Sequence, residues 1–369
     1  MEVRLDIAEE ALKVFVAALQ CLSQVGKELS IECDPGARRL TLRALNDAHS
    51  ASGQVVLDRT FFSESQGGRS VTLAGVDIAS NEMLRAHFNG RTPFVKCKVF
   101  AKSCCNVFRT LKHVQSVQLA LLVDKDALDQ ATAASQEDTS QASEVDEVDL
   151  DCMELTWRLR CDFDITKTHH MKVQACQIMR ALFDKSASPS RWRTRQHHLS
   201  SLLTHIHHSG EVSVTCSPTH VKFESYFSNF TDSKAQLQTE TAVESLEFSE
   251  YILQPPADDS VDAAAQLIFC IKEIRALLAF CKASDVLEVS FYFSTAGSPV
   301  LFAAESTSMA KFSIEMTLST VTTFLPASSQ TRSEEEVTLF ANGQTLSLSQ
   351  TSSQENPRYL THSKRPRVD

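Results

Sequence analysis

The chain contains no Cys-x-x-Cys pair, no Gly-x-Gly-x-x-Gly, no phosphate-loop Gly-x-x-x-x-Gly-Lys, no Gly-x-Ser-x-Gly and no His-Glu-x-x-His. Those absences remove the commonest dinucleotide, nucleotide-phosphate, nucleophile-elbow and metalloprotease chemistries, so no enzyme and no cofactor is expected. Glycine and proline are scarce, 10 each in 369 residues, which excludes a collagen-like or wholly unstructured chain. No uninterrupted apolar run reaches the length of a membrane span or a signal-peptide core, and a soluble intracellular protein is expected. The eleven cysteines are an odd number, and Cys104, Cys105 and Cys270 sit inside apolar runs. That pattern fits small hydrophobes in a reducing compartment better than a disulfide framework.

What is present is enough apolar residue, 43%, for sizeable cores, and a length that suggests two domains. The net charge of -10 is concentrated: residues 124–151 hold ten acids against Lys125, which leaves the remainder of the chain near neutrality. This acidic run, poor in aromatics, reads as a solvated loop, and residues 325–369 read as a polar tail.

An internal repeat organises the rest. Residues 8–22 place Leu12, Phe15, Leu19 and Leu22 on one helical face, followed by Gly26 and two strands. Residues 196–208 repeat this with Leu199, Leu203 and Ile206, then Gly210 and two strands, with Cys33 and Cys216 in matching places. A second helix is predicted over 98–112 and again, 170 residues later, over 270–282. At that offset Lys102 and Lys112 fall on Lys272 and Lys282, while Arg109 and Arg275 fill other turns of the same stripe. One such stripe is an ordinary solvated helix face. Two in register can track the extended charge of a nucleic-acid backbone without reading bases.

Other constellations are weaker. His197, His198, His205, His207 and His208 lack acids or thiols at ligand spacing, so a polar helix face formed by His197, Ser201, Thr204 and His208 is expected, and no metal. Acids of the 124–151 run in a metal-dependent nuclease form an alternative, disfavoured because metal-assisted hydrolysis needs ligands on a fixed scaffold. In the tail, Ser329, Ser349 and Ser353 each precede Gln, and Ser333 precedes three Glu, which makes these four serines phosphorylation candidates. Lys364, Arg365 and Arg367 read as a nuclear import signal.

Several stretches together resemble one family. LQCLSQVGKELSIEC, VKCKVFAKSCCNVFRTLKHVQ, the Lys167-Thr168-His169 triplet, QIMRALFDKSASP and IFCIKEIRALLAFCKASDVLEVSFYF with SPVLF are similar to checkpoint sliding-clamp subunits of the Rad nine type, relatives of PCNA. The resemblance implies an α+β clamp of two similar domains, with helices lining an inner face and antiparallel sheets outside. It implies a first domain over 1–174 containing the acidic insertion, a connector over 175–191, a second domain over 192–324 and a tail over 325–369. It further implies a heterotrimeric ring with Hus one and Rad one type subunits, placed on double-stranded DNA by a checkpoint clamp loader, in the nucleus. The tail would be phosphorylated and would recruit a BRCT-repeat scaffold. DNA contacts would come from Lys13, Lys102, Arg109, Lys112, Lys272, Arg275 and Lys282, and a partner-peptide pocket would lie at Ile178, Leu182 and Phe183. A self-assembling replication-type processivity clamp is the alternative within the same fold.

Overall fold

The computed structural model describes residues 2–62, 71–73, 76–77, 94–123, 149–206, 209–227, 237–254 and 265–321. The acidic run falls outside them except at its end: Asp149, Leu150 and Asp151 start a strand and Leu150 is buried, so the predicted loop is shorter than 124–151. The tail serines and the basic terminus also lie outside the described residues.

Alternation of apolar and polar residues sets the first half. It comprises β1 (Glu2–Ala8), α1 (Glu9–Val25), β2 (Glu28–Asp34), β3 (Arg39–Leu45), β4 (Ala51–Leu57), β5 (Val71–Leu73), β6 (Val76–Asp77), β7 (Phe94–Phe100), α2 (Ala101–Val107), β8 (Val114–Val123), β9 (Asp149–Cys161) and β10 (Thr166–Lys172). The second half comprises β11 (Ser190–Arg195), α3 (Gln196–Thr204), β12 (Glu211–Cys216), β13 (His220–Tyr226), β14 (Glu240–Glu244), β15 (Glu250–Ile252), β16 (Ala265–Cys270), α4 (Ile271–Ala283), β17 (Glu288–Phe293), β18 (Val300–Glu305) and β19 (Phe312–Leu318).

The sequence repeat is a repeat of topology. Antiparallel pairs β1–β8, β2–β3, β2–β7, β3–β4, β8–β9 and β9–β10 recur as β11–β17, β12–β13, β12–β16, β13–β14, β17–β18 and β18–β19. Each of these four helices springs directly from the preceding strand, with Ala8, Phe100, Arg195 and Cys270 still extended at the first cap and without side-chain capping. One antiparallel ladder, β4 against β19, joins the halves through Leu57–Phe312, Val55–Ile314, Gly53–Met316 and Ala51–Leu318.

Helix ends differ from the sequence expectation where composition is weak. The segment predicted as helix over 98–112 is strand through Phe100 and helix only to Val107. Its residues, SCCNVF, are poor helix formers, whereas EIRALLAFCK sustains the 13 residues of α4. Bonds of i→i−3 type, Phe108 N to Cys105 O and Arg109 N to Asn106 O, both 3.2 Å, tighten the end of α2. Arg109 and Lys112 therefore stand on a turn, not on the helix. The predicted stops also separate: a Cβ on Gly26 would come 2.3 Å from the Leu45 carbonyl oxygen, while Gly210 has open space around it.

The core lies between the helices and the sheets. In the first half Trp157 packs on Phe15 and Phe108 with ring centroids 5.6 and 5.2 Å away, and its indole N–H meets the Met171 sulfur. In the second half the aromatic cluster is built at other positions, from Trp192, Phe291 and Phe302, with Phe291 and Phe302 4.4 Å apart. Such pairs add roughly 0.5–1.5 kcal/mol each beyond their buried area. All eleven cysteines are free, none is exposed, and burial pushes Cys104, Cys216 and Cys281 up to about 12, so these thiols stay protonated.

Candidate nucleic-acid interface

The four helices among the described residues form one layer. α1 packs against both α2 and α4, α3 packs against α4, and α1 also lies on β3 and β4, so the order across the layer is α2–α1–α4–α3. Flanked on both sides, α1 has few solvent-facing positions. Lys13 and Gln20 are exposed, but Ala17, one turn from each, is buried.

Lys13, Lys102, Arg109, Lys112, Lys272, Arg275 and Lys282 are all exposed, and none is ion-paired among the described residues. The sheet face turned away from the helices is different. There Lys98 meets Glu28 at 2.9 Å, Arg43 meets Glu32 at 3.5 Å, Arg158 meets Glu2 at 3.7 Å, Arg191 meets Glu250 at 2.7 Å and Lys222 meets Glu224 at 3.1 Å. The helix layer thus carries uncompensated positive charge, whereas on the sheet face these five cations are paired and Arg160 and Lys172, on β9 and β10, are exposed without an ion pair among the described residues. Its exposed acids, Glu9 and Glu10, sit in the first turn of α1, where they suit the helix dipole, and Glu273 is buried in α4.

α3 and α4 enclose a groove of about 370 Å³ lined by Gln196, Ser200, Thr204, Arg275 and Lys282. The Arg275 guanidinium donates to the Ile206 carbonyl, which fixes it across the groove. The Arg275 guanidinium and Lys282 ammonium suit phosphate oxygens, whereas the Gln196 amide and the Thr204 hydroxyl already donate to the Leu278 and Ser200 carbonyls, and Leu203, Leu278 and Ala279 make the rest of the lining apolar. Gln196 and Ser200 were not singled out in the sequence. The polar face of α3 signalled the region, and His197, Ser201 and Thr204 are indeed exposed on it, while His207 and His208 lie outside the described residues. Among the described residues no cluster of His, Cys, Asp or Glu converges on a metal-binding geometry.

On the opposite face, the segment after β10 is laid across the sheet. Gln174 bridges Lys98, Cys176 Sγ donates to Ser30 Oγ at 3.3 Å, Arg180 meets Glu32 at 3.1 Å and Lys185 meets Glu315 at 2.6 Å. It gives way to β11 at Ser190 and so ends at residue 189, two residues earlier than the predicted connector. A cavity of about 260 Å³ beside it is lined by Met179, Leu182, Leu45, Ala51 and Pro299. Of the three predicted pocket residues only Leu182 lines it, within the consecutive run Met179 to Leu182; Ile178 and Phe183, at either end of that run, do not.

A family model described as Rad9 matches residues 15–321. The chain belongs to the Rad9 family. Among curated proteins, the cell cycle checkpoint control protein Rad9 of Drosophila melanogaster is 23% identical over 290 residues, 78% of this chain and 50% of that protein. The DNA repair protein rad9 of Schizosaccharomyces octosporus is 22% identical over 299 residues, 77% of this chain and 62% of that protein. The chain thus matches half to three-fifths of the length of these Rad9 relatives. Among solved structures, the PCNA2–PCNA3 complex from Sulfolobus tokodaii superimposes with a TM-score of 0.54 at 9% identity, covering 86% of this chain and 99% of that one. The fold of this Rad9-family chain is therefore the PCNA-like α+β clamp fold.

Proposed function

We propose that this chain is a non-enzymatic subunit of a heterotrimeric checkpoint clamp that encircles double-stranded DNA at damaged sites in the nucleus. One observation carries the reading: unpaired cations gather on the helix layer, while Arg43, Lys98 and Arg191 of the outer sheet face are neutralised by carboxylates. A ring of such subunits, helices inward, presents positive charge to the duplex at many points without reading sequence. Enclosure then retains DNA even where single contacts are weak.

The two terminal edges support assembly. β10 pairs only with β9, and β14 only with β13, among the described residues. They are the counterparts of β19 and β4, which join the halves to each other, so each open edge has the form of half a junction. In this reading the two halves are the clamp domains, Hus one and Rad one type subunits supply the missing edges, and a checkpoint clamp loader opens the ring. The serines Ser329, Ser333, Ser349 and Ser353 serve a BRCT-repeat scaffold after phosphorylation, and Lys364, Arg365 and Arg367 direct import. The cavity beside Leu182 takes partner peptides.

The test is retention of the loaded assembly on circular DNA across a salt series. The double variant Lys102→Glu, Lys272→Glu is expected to shorten retention and to lower the salt slope by roughly one to two units. Linearising the DNA is expected to release wild type and variant alike. An unchanged slope, or retention that ignores linearisation, would contradict the reading.

A further inference from the structure

Two thiols meet where the sheets of the first half part. β7 and β9 run parallel, with Phe94, Val95 and Lys96 opposite Asp149, Leu150 and Asp151. One step further the same register sets Cys97 beside Cys152, and both are buried. Adjacent strands lie about 4.8 Å apart, inside the roughly 4.4–6.8 Å that a disulfide spans between Cα atoms. At this point β9 leaves β7 for β8: Val123 lies opposite Cys152 and Leu122 opposite Glu154, so Met153 is an extra, bulged residue. Asp151 and Met153, on either side of Cys152, are exposed. A bulge interrupts the ladder, and the strand opens there with the least loss.

The hydrogens on the two sulfurs are ordered. Cys152 Sγ donates to the Glu154 carbonyl at 3.0 Å, which leaves its lone pairs for the Cys97 thiol. The hydrogen bond from Cys97 holds Cys152 below the ordinary thiol range against the desolvation that opposes it, and the same bond together with burial pushes Cys97 up. The pair has the asymmetry of an attacking and a resolving thiol. Packing does not demand sulfur here. In the second half Val214 faces Leu267 where Ile31 faces Cys97.

We propose that Cys97 and Cys152 form a peroxide-reactive dithiol, closed by hydrogen peroxide to a disulfide that staples the fork between β7 and β8. The Cys152 thiolate attacks one peroxide oxygen, the O–O bond breaks, and the leaving hydroxide takes up the proton that Cys152 released. The Cys97 sulfur then attacks the Cys152 sulfur, the S–O bond of the sulfenic acid breaks, and hydroxide leaves with the Cys97 proton as a second water. Two thiols lose two electrons and two protons, and the peroxide is reduced to two waters. The loop so closed carries α2 and β8, and with them Lys102, Arg109 and Lys112. The reaction belongs to the single chain, whatever its partners.

The experiment treats the folded full chain with hydrogen peroxide, quenches with catalase, blocks remaining thiols with iodoacetamide in denaturant and maps unreduced digests by mass spectrometry. A peptide pair joined through Cys97 and Cys152 is expected, two hydrogens lighter than the separate thiol peptides and released by dithiothreitol. Cys105 and Cys270 are less buried, but desolvation pushes both up, Cys270 to about 11. The disulfide is therefore expected to form at least about tenfold faster than oxidation at either of them. In Cys97→Ser, Cys152 is expected to stop at the sulfenic acid and to take up dimedone. In Cys152→Ser, Cys97 is expected to stay reduced. Both thiols intact under peroxide that oxidises the denatured chain, Cys152 bridged to another cysteine, or Cys105 and Cys270 reacting first would each overturn the proposal. These are measurements on the wild type, so they decide it even where a variant fails to fold.

Discussion

The junction between the halves and the two open edges are the same piece of architecture in different circumstances. At the junction, Phe312, Ile314, Met316 and Leu318 are buried against β4, whose Val55 and Leu57 are fully covered. At the open edges the corresponding positions include Lys167 and His169 on β10, and Thr241 and Val243 on β14, none of them fully buried. An edge sealed during folding of one chain gains from apolar area, whereas an edge that stands in water until a partner arrives must resist indiscriminate pairing. Backbone geometry is common to both, and side-chain polarity separates the permanent contact from the exchangeable one.

The comparison breaks most severely if the junction is given the polarity of an edge. Ile314→Asp buries a charge between Val55 and Ala304, with no cation in the apolar row around it. The expected loss is more than about 4 kcal/mol, from the missing side chain together with the stranded carboxylate. A fall in the urea midpoint at unchanged slope, or outright failure to fold, is the expected readout. A loss below about 1 kcal/mol would mean that the halves are held together elsewhere.

Much of this was legible in the chain itself, and the exceptions have physical causes. Lys102, Lys272 and Lys282 could be placed because i, i+3 and i+7 spacing survives in a helix whatever its neighbours do. Arg109 and Lys112 were misplaced onto α2 because apolar spacing carries on beyond Val107 while Cys, Asn and Val give the backbone little reason to stay helical. The burial of Ala17 follows from α1 lying between α2 and α4, a tertiary arrangement that no local pattern records. Ile178 and Phe183 were expected in the pocket from the family resemblance, yet the segment that carries them is held by Arg180–Glu32 and Cys176–Ser30, links across roughly 150 residues of chain. The charge pairing of the outer sheet face was invisible for the same reason: Lys98 and Glu28, or Arg191 and Glu250, meet only after the strands are aligned.

A smaller break lies next to the junction, where α1 closes on the end of β3. Gly26→Ala forces a methyl to 2.3 Å from the Leu45 carbonyl oxygen, a backbone atom that cannot swing away. A cost of roughly 1–3 kcal/mol is expected, of the size found for overpacking. Gly210→Ala, at the matching place after α3, meets nothing within 4 Å and is expected to stay within about 0.5 kcal/mol. Denaturant midpoints of the two variants measured side by side check both values, and equal losses would mean that the halves close their helices in the same way after all.

The smallest expected effect is the most informative about the edges. Thr168→Asp introduces the same carboxylate as Ile314→Asp, again on the last strand of its half, but Thr168 is exposed and pairs across to Arg158 on β9. Water solvates the new charge, Arg158 lies on the same face to offset it, and only the lower strand propensity of Asp remains, so the change is expected to stay within about 1 kcal/mol. If Thr168→Asp lowered the midpoint as far as Ile314→Asp does, β10 would already be covered in the isolated chain. The distinction between a sealed junction and a waiting edge would then be lost, and with it the case that this subunit leaves two strands for its neighbours to complete.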